Sequence, residues 1–226
     1  MISAIIYDLD DTMVNSDPLH ERAWEELLKD HGHDFRSLPE ELRSNFIGRR
    51  VIDITHELVD YLNIKANKND LYEKRIELFI KIVENELEPL PGLLESLERF
   101  KSLGFKLAVA SSGAKRYVEL VLKKFDIGRY FDAIITGDDV QIGKPHPDAY
   151  LITAKKMHVK PSNCLVLEDA TKGIQSAKAA GCKCIAIENP NIPPQDFQEA
   201  DLVVRSLDEV TLEKIQILNH AGYNLC

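Results

Sequence analysis

Apolar and polar positions change rhythm twice along this 226-residue chain. Residues 4–7 (Ala4, Ile5, Ile6, Tyr7) form a short, unbroken apolar run that predicts a buried strand. From Met13 to Leu87 the spacing is helical throughout. Asn15, Ser16 and Asp17 offer capping side chains and Pro18 suits a first helical turn. Leu19, Ala23, Trp24, Leu27 and Leu28 then make an inward stripe. Residues 30–37, polar with Gly32 and two histidines, predict a loop. A second helix is expected over 39–46, breaking near Gly48. A third is marked by Val51, Thr55, Leu58, Val59 and Leu62, and a fourth by Tyr72, Ile76, Phe79, Ile80, Val83 and Leu87.

The texture changes at Glu88-Pro89-Leu90-Pro91-Gly92, where two prolines and a glycine stop the helix. Beyond it, strands expected at 106–110, 133–136, 164–167 and 184–187 alternate with helices at 93–103, 114–125, 147–157 and 171–180. In the 114–125 segment Tyr117, Val118, Val121, Leu122 and Phe125 are read as the inward face. A strand at 202–204 and a C-terminal helix complete the series. Short apolar strands alternating with amphipathic helices imply an α/β fold with a parallel sheet covered on both faces. Residues 1–13 and 90–226 are therefore expected to form the α/β core, with 14–89 inserted as an all-helical domain. Two crossings beside the first strand place that insertion well to open and close.

The chain carries 37 acidic and 28 basic residues, a net charge of −9. That balance disfavours a nucleic-acid or anionic membrane partner, but one local cation could still admit a small anion. Cys164, Cys182, Cys184 and Cys226 make no CxxC pair and read as buried, reduced thiols. With no charged leader before an apolar stretch and no apolar run of membrane-spanning length, the expectation is a cytoplasmic protein, acting as a monomer.

Polar residues recur where strands end. The first strand runs into Asp8 and Asp10, which share a face if the extended backbone continues. Alone, that pair is equally well a turn or a compensated acid cluster. The 106–110 strand runs into Ser111 and Ser112, the loop after 133–136 carries Lys144, and the 164–167 strand runs into Glu168 and Asp169. Singly, the serines could cap a helix, Lys144 could sit in a solvated turn and Asp169 could cap the next helix. Jointly they point to one ligand-binding edge at the carboxyl ends of a parallel sheet. Acids there suit Mg²⁺, a carboxylate can attack phosphorus, a lysine and a hydroxyl can hold phosphoryl oxygens, and a second acid can move a proton.

These residues resemble the haloacid dehalogenase superfamily of phosphohydrolases. Asp8-Leu9-Asp10-Asp11-Thr12 matches its DxDx[TV] motif; Ser111, Lys144 in Gly143-Lys144-Pro145, and Glu168-Asp169 followed by Gly173-Ile174 match the other three in order. The resemblance implies a Rossmann-like core with a C1-type cap after motif one. It also implies Asp8 as nucleophile forming an aspartyl-phosphate, and Asp10 as general acid/base and as a metal ligand through its carbonyl. Asp8, Asp10, Glu168 and Asp169 would form the Mg²⁺ site, and Ser111, Ser112 and Lys144 would bind the phosphoryl group. Asp11 departs from the glycine that many members carry.

An acid at Asp10 speaks against C–halogen and C–phosphorus cleavage within the superfamily. The chain is similar to the β-phosphoglucomutase-like branch, which also holds sugar-phosphate phosphatases; His20 with Ala23-Trp24 resembles the mutase's first cap helix. His20 and Arg49, after Gly48, are candidate substrate contacts, with Arg50, Lys74 and Arg75 of the same kind; as alternatives, His20 and the arginines are surface residues. Where the mutase has its arginine this chain has Val51. The expectation is a Mg²⁺-dependent phosphatase of small phosphomonoesters such as sugar or polyol phosphates. The alternatives are a phosphosugar mutase or a phosphorylation-switched or catalytically silent binding protein.

Overall fold

The computed structural model describes residues 1–220; Cys226 lies outside the described residues. Six parallel strands, β1 (Ala4–Tyr7), β2 (Lys106–Ala110), β3 (Ala133–Ile135), β4 (Cys164–Glu168), β5 (Lys183–Ile187) and β6 (Leu202–Val204), form one sheet in the order β3-β2-β1-β4-β5-β6. β1 is central and every one of its residues is buried.

Side-chain alternation sorts the sheet into two different faces. Ile5, Tyr7, Leu107, Val109, Leu165 and Leu167 pack with α5 (Leu93–Ser102), α6 (Lys115–Lys124) and α9 (Leu212–His220). Ala4, Ile6, Ala108, Ala110, Val166 and Ala186 pack with α7 (Asp148–Lys156) and α8 (Thr171–Ala179). Alanines on that second face leave room for close approach. The closest is at Gly173 in α8, where an added Cβ would lie 1.6 Å from Glu168 Oε1.

The insertion after β1 is helical: α1 (Asp17–Lys29), α2 (Glu40–Ser44), α3 (Val51–Tyr61) and α4 (Lys68–Glu86). It has its own core around Trp24, Leu28, Phe46, Leu58, Leu71 and Ile76. α4 starts a turn before its apolar stripe because Asn67 caps it, accepting from Asn69 N and Asp70 N. Residues 30–37 are not all solvated loop: Phe35 starts a short 3₁₀ turn and is buried, stacked beside Trp24 at 6.5 Å. The two crossings between insertion and sheet pair with each other, Asn15 N–H donating to Glu88 O (3.0 Å) and Leu90 N–H to Met13 O (2.9 Å). They make one short double-stranded hinge.

Cys164, Cys182 and Cys184 are buried free thiols, and no helix among the described residues is long and apolar enough to cross a membrane.

Two glycine-to-alanine variants test the close approach. In G173A the added carbon meets a carboxylate held by its own hydrogen bonds, and stability falls by about 2 kcal/mol or more despite alanine's better helix propensity. In G181A no atom of the described residues lies within 4 Å of the added carbon, so the loss is about 1 kcal/mol, from the left-handed backbone. Urea melts of the two variants give the comparison.

Candidate active site

Strand register builds the site. Tyr7 is level with Leu167, so the next residues, Asp8 and Glu168, lie side by side on the face lined by Ile6 and Val166. Asp8 extends the ladder by one bond, its N–H donating to Leu167 O at 3.0 Å. Lys144, from the loop before α7, reaches between them and donates to Asp8 Oδ1 (2.5 Å) and Glu168 Oε1 (2.6 Å). All three are buried. Glu168 is held firmly: Oε1 also accepts from Tyr150 OH (2.8 Å), and Oε2 from the N–H groups of Asp169 and Ala170. Asp169 accepts from Thr12 Oγ1 at 3.0 Å.

One ammonium therefore faces a group of buried acids. Burial, then the charges of Glu168 and Asp10, hold the Asp8 carboxyl well above the usual carboxylate range, against the pull of Lys144. Burial raises Asp169 likewise, reinforced by Glu168 and Asp8. For Lys144, burial opposes the charge, but Asp8 and Glu168 outweigh it and keep the lysine protonated. One carboxylate oxygen from each of Asp8, Glu168 and Asp169 lies within 4.8 Å of the others. An all-oxygen, over-acidic set of this kind fits a hard divalent cation. Asp8 and Asp169 are the better donors, since each Glu168 oxygen already accepts two bonds.

Asp10 has different partners. Past Asp8 the chain tightens into a loop, with Met13 N–H and Val14 N–H both donating to Leu9 O; both acids line the same cavity. Asp10 Oδ1 accepts from Ser16 Oγ (2.7 Å) and Tyr117 OH (2.6 Å). His20 Nε2 stands 3.6 Å away. Burial pushes the Asp10 carboxyl up, but the contacts to His20, Tyr117 and Ser16 together bring it below its ordinary value. The Asp10 carbonyl lies outside the bridge to Val14, which runs through Asp11 N–H and Leu9 O.

Asp11 has a structural reason for departing from glycine. Its φ is +57°, a conformation that aspartate tolerates, and its Oδ1 accepts from Ser16 N and Asp17 N at 3.1 Å each. Asp11 thus caps α1 in place of Ser16, whose hydroxyl is committed to Asp10.

The remaining candidates divide. Ser111 Oγ accepts from Gly113 N–H at 2.9 Å, which shapes the loop after β2 and leaves its own hydrogen to donate. Ser112 Oγ donates to Gly48 O of the cap at 2.9 Å, so it ties cap to core. Arg49 lines the cavity but is paired with Glu57 at 2.6 Å. Arg50 bonds Asp53 and donates to Val140 O (2.9 Å) on the core; it is a strut from cap to core. Lys74 pairs with Asp30 on the surface. Arg75 is wholly buried, 4.4 and 4.9 Å from the Trp24 and Phe79 ring centres. It donates to His20 Nδ1 at 2.8 Å, so that nitrogen accepts and Nε2, facing Asp10, carries the hydrogen. Burial lowers Arg75 to about 9.

Sequence reading took Tyr117 for an apolar-face residue and did not single out Tyr150 or the link from Ser16 to Asp10. Aromatic spacing on α6 and α7 signalled burial; where a hydroxyl ends is not periodic information.

Between the acids and the cap lies a cavity of about 290 Å³, at the small end for metabolite sites. Asp8, Asp10 and Asp169 line one end; Asp17, Glu21, Arg43, Trp24, Val51 and Ile54 are among the residues of its cap walls.

Residues 5–187 match the family model of haloacid dehalogenase-like hydrolases, and the chain belongs to that family. It is 33% identical to hexitol phosphatase A of Escherichia coli over 92% of this chain and 93% of that protein. It is 32% identical to a phosphorylated carbohydrates phosphatase of Thermotoga maritima, over 81% and 84%. Among solved structures, a β-phosphoglucomutase from Clostridium difficile superposes with a TM-score of 0.84 at 26% identity, covering 98% of this chain and 99% of its own. The chain is an enzyme, a phosphatase of this family.

Replacing Lys144 by methionine leaves Asp8 and Glu168 buried without their cation, and K144M loses about 3–5 kcal/mol by urea denaturation. The raised carboxyls of Asp8 and Asp169 also set a pH dependence. In chelator they favour folding below about pH 4, and that contribution is lost as pH rises through their higher folded values. The urea midpoint of metal-free protein therefore falls as pH is raised above about 4.

Proposed function

We propose that this chain is a Mg²⁺-dependent phosphatase of small phosphomonoesters, sugar or polyol phosphates, working through an aspartyl-phosphate on Asp8. The observation that carries the reading is Lys144 bound to Asp8 at the cavity end where Asp169 adds a second acid. A carboxylate so placed presents an oxygen to a phosphoryl group while the lysine stands ready for the charge that develops on it.

In the first half-reaction an Asp8 oxygen bonds to phosphorus and the ester P–O bond breaks. The departing alkoxide takes a proton from Asp10, whose carboxyl lines the same cavity. Asp10 enters this step protonated, the negative charge of the bound phosphoryl group favouring the neutral acid. In the second, Asp10 takes a proton from water as the water oxygen bonds to phosphorus. The bond to Asp8 breaks, and inorganic phosphate leaves with both acids restored. Lys144 and the Ser111 hydroxyl hold phosphoryl oxygens through both steps. Asp8, Asp169 and the Asp10 carbonyl, with Glu168 beside them, would hold Mg²⁺, which supplies positive charge to the phosphoryl oxygens. The cap formed by residues 14–89 closes the site and keeps bulk water out.

The cap walls favour phosphatase over mutase. A mutase must also grip a second phosphate. Here Arg49 is already neutralised by Glu57, Val51 and Ile54 are apolar, and Arg43 shares the wall with the acids Asp17 and Glu21. Burial, Glu21 and Asp10 raise Asp17 to about 6. Walls with balanced charge and carboxylate acceptors suit a neutral, hydroxyl-bearing body. Names of relatives point the same way: hexitol phosphatase, phosphorylated carbohydrates phosphatase and fructose-1-phosphate phosphatase.

A panel of sugar, polyol and nucleotide monophosphates tests this. Phosphate is released from sugar or polyol esters with Mg²⁺ and not with EDTA, and D8N retains less than about a thousandth of the rate. β-Glucose 1-phosphate with a bisphosphate primer yields free phosphate; a 6-phosphate product would make the chain a mutase. Mg²⁺ also raises the melting temperature, more at pH 8 than at pH 5.5, because its ligands must be ionised. D169N removes most of that rise.

A further inference from the structure

Tyr117 is a buried phenol on α6, and its hydroxyl ends 2.6 Å from Asp10 Oδ1. The same oxygen accepts from Ser16 Oγ at 2.7 Å. Oδ2 takes no hydrogen bond from any described residue. We propose that Tyr117 is a positioning residue for Asp10: with Ser16 it pins Oδ1 and so selects Oδ2 as the oxygen that exchanges protons with leaving group and water. This rests on the reading of Asp10 as general acid and base.

A carboxyl that gives a proton in one step and takes one in the next must keep an oxygen aimed at the reacting atoms in both. Its terminal torsion is broad and twofold, so without partners the carboxyl plane swings. Two hydroxyl donors on one oxygen hold that plane and leave the proton the other oxygen to occupy, and a fixed donor geometry is worth more than its hydrogen bonds alone. Serine by itself is a weak constraint, because its hydroxyl rotates freely. The tyrosine ring cannot follow it.

The ring is fixed from both domains. On the core side it lies over Gly113, where an added Cβ would come within 2.8 Å of Tyr117 Cδ1. On the cap side Phe79 of α4 packs on it at 4.8 Å between centroids, and His20 of α1 meets it edge-on at 6.2 Å. Cap and core thus together hold the ring that carries the hydroxyl to Asp10.

Y117F keeps the ring and removes only the hydroxyl, so its melting temperature stays within a few degrees of the parent. On sorbitol 6-phosphate, kcat falls about 10- to 100-fold while KM changes less than about twofold. With p-nitrophenyl phosphate the leaving group departs without a proton. Y117F then releases its first equivalent of nitrophenol at the parent rate in a burst, and later turnover slows as it does on the sugar ester. An unchanged kcat, or a burst slowed as much as turnover, overturns the proposal.

D10A, assayed alongside, separates the two readings. If D10A is silent and Y117F matches the parent, only the positioning role falls. If D10A turns over normally, the acid–base reading falls and takes the positioning role with it. Should the parent hydrolyse neither ester, crystal structures of parent and Y117F decide. An Asp10 carboxylate that turns in the variant supports the role of Tyr117, and one that stays in place overturns it.

Discussion

Charge at the carboxyl ends of β1 and β4 is the constraint that the rest of the molecule serves. Asp8, Glu168 and Asp169 are brought together in a buried space where, among the described residues, Lys144 supplies the positive charge, bridging Asp8 and Glu168. Ionised carboxylates in that setting repel each other and lack water, so each must be compensated. Glu168 is compensated most fully, by Lys144, Tyr150 and two backbone N–H groups. It thereby becomes the fixed point from which Lys144 is aimed at Asp8. The alanine-lined face of the sheet and Gly173 of α8 exist in the space this arrangement leaves. Asp8 and Asp169 remain under-compensated, and that imbalance is a standing demand for a cation or a proton.

A second constraint concerns how the cap is joined. Asp11, in a left-handed conformation, ends the loop that carries Asp8 and Asp10 and caps α1 in the same residue. The backbone that presents Asp8 and Asp10 is thus continuous, within a few residues, with the first helix of the cap. The paired crossings at Asn15 and Leu90 form the hinge. Opposite it, Ser112 holds Gly48 and Arg50 reaches Val140 O. Those contacts place the cap loop over the cavity: Arg50 ties cap to core, and Ser112 does so while also lining the cavity.

Asp10 shows how the domains share one group. Its loop comes from the core, Ser16 from the hinge, Tyr117 from the core and His20 from the cap, with Arg75 fixing the His20 tautomer. The buried Arg75, stacked between Trp24 and Phe79, links that tautomer to the cap's own apolar core. The fold that this chain has in common with the mutase constrains none of this by itself. In this chain the cap walls carry arginines that answer acids within the protein, and an apolar pair at Val51 and Ile54.

Periodicity was enough to read the order and type of elements, because strand and helix differ in the spacing of buried positions, and each apolar run here had one spacing. Strand-end acids, serine and lysine were likewise legible, since a parallel sheet brings carboxyl ends to one edge whatever the loops between them do. The start of α4 and the burial of Phe35 were less visible, being decided by a cap at Asn67 and by packing on Trp24. Orientation was not in the sequence at all. That Asp8 faces Lys144 while Asp10 turns to Tyr117, that Ser112 and Arg50 serve the cap, and that Asp11 caps α1 were decided by tertiary contacts. The physical reason is that a side chain's polar end answers to partners remote in the chain, whereas its burial answers to its near neighbours.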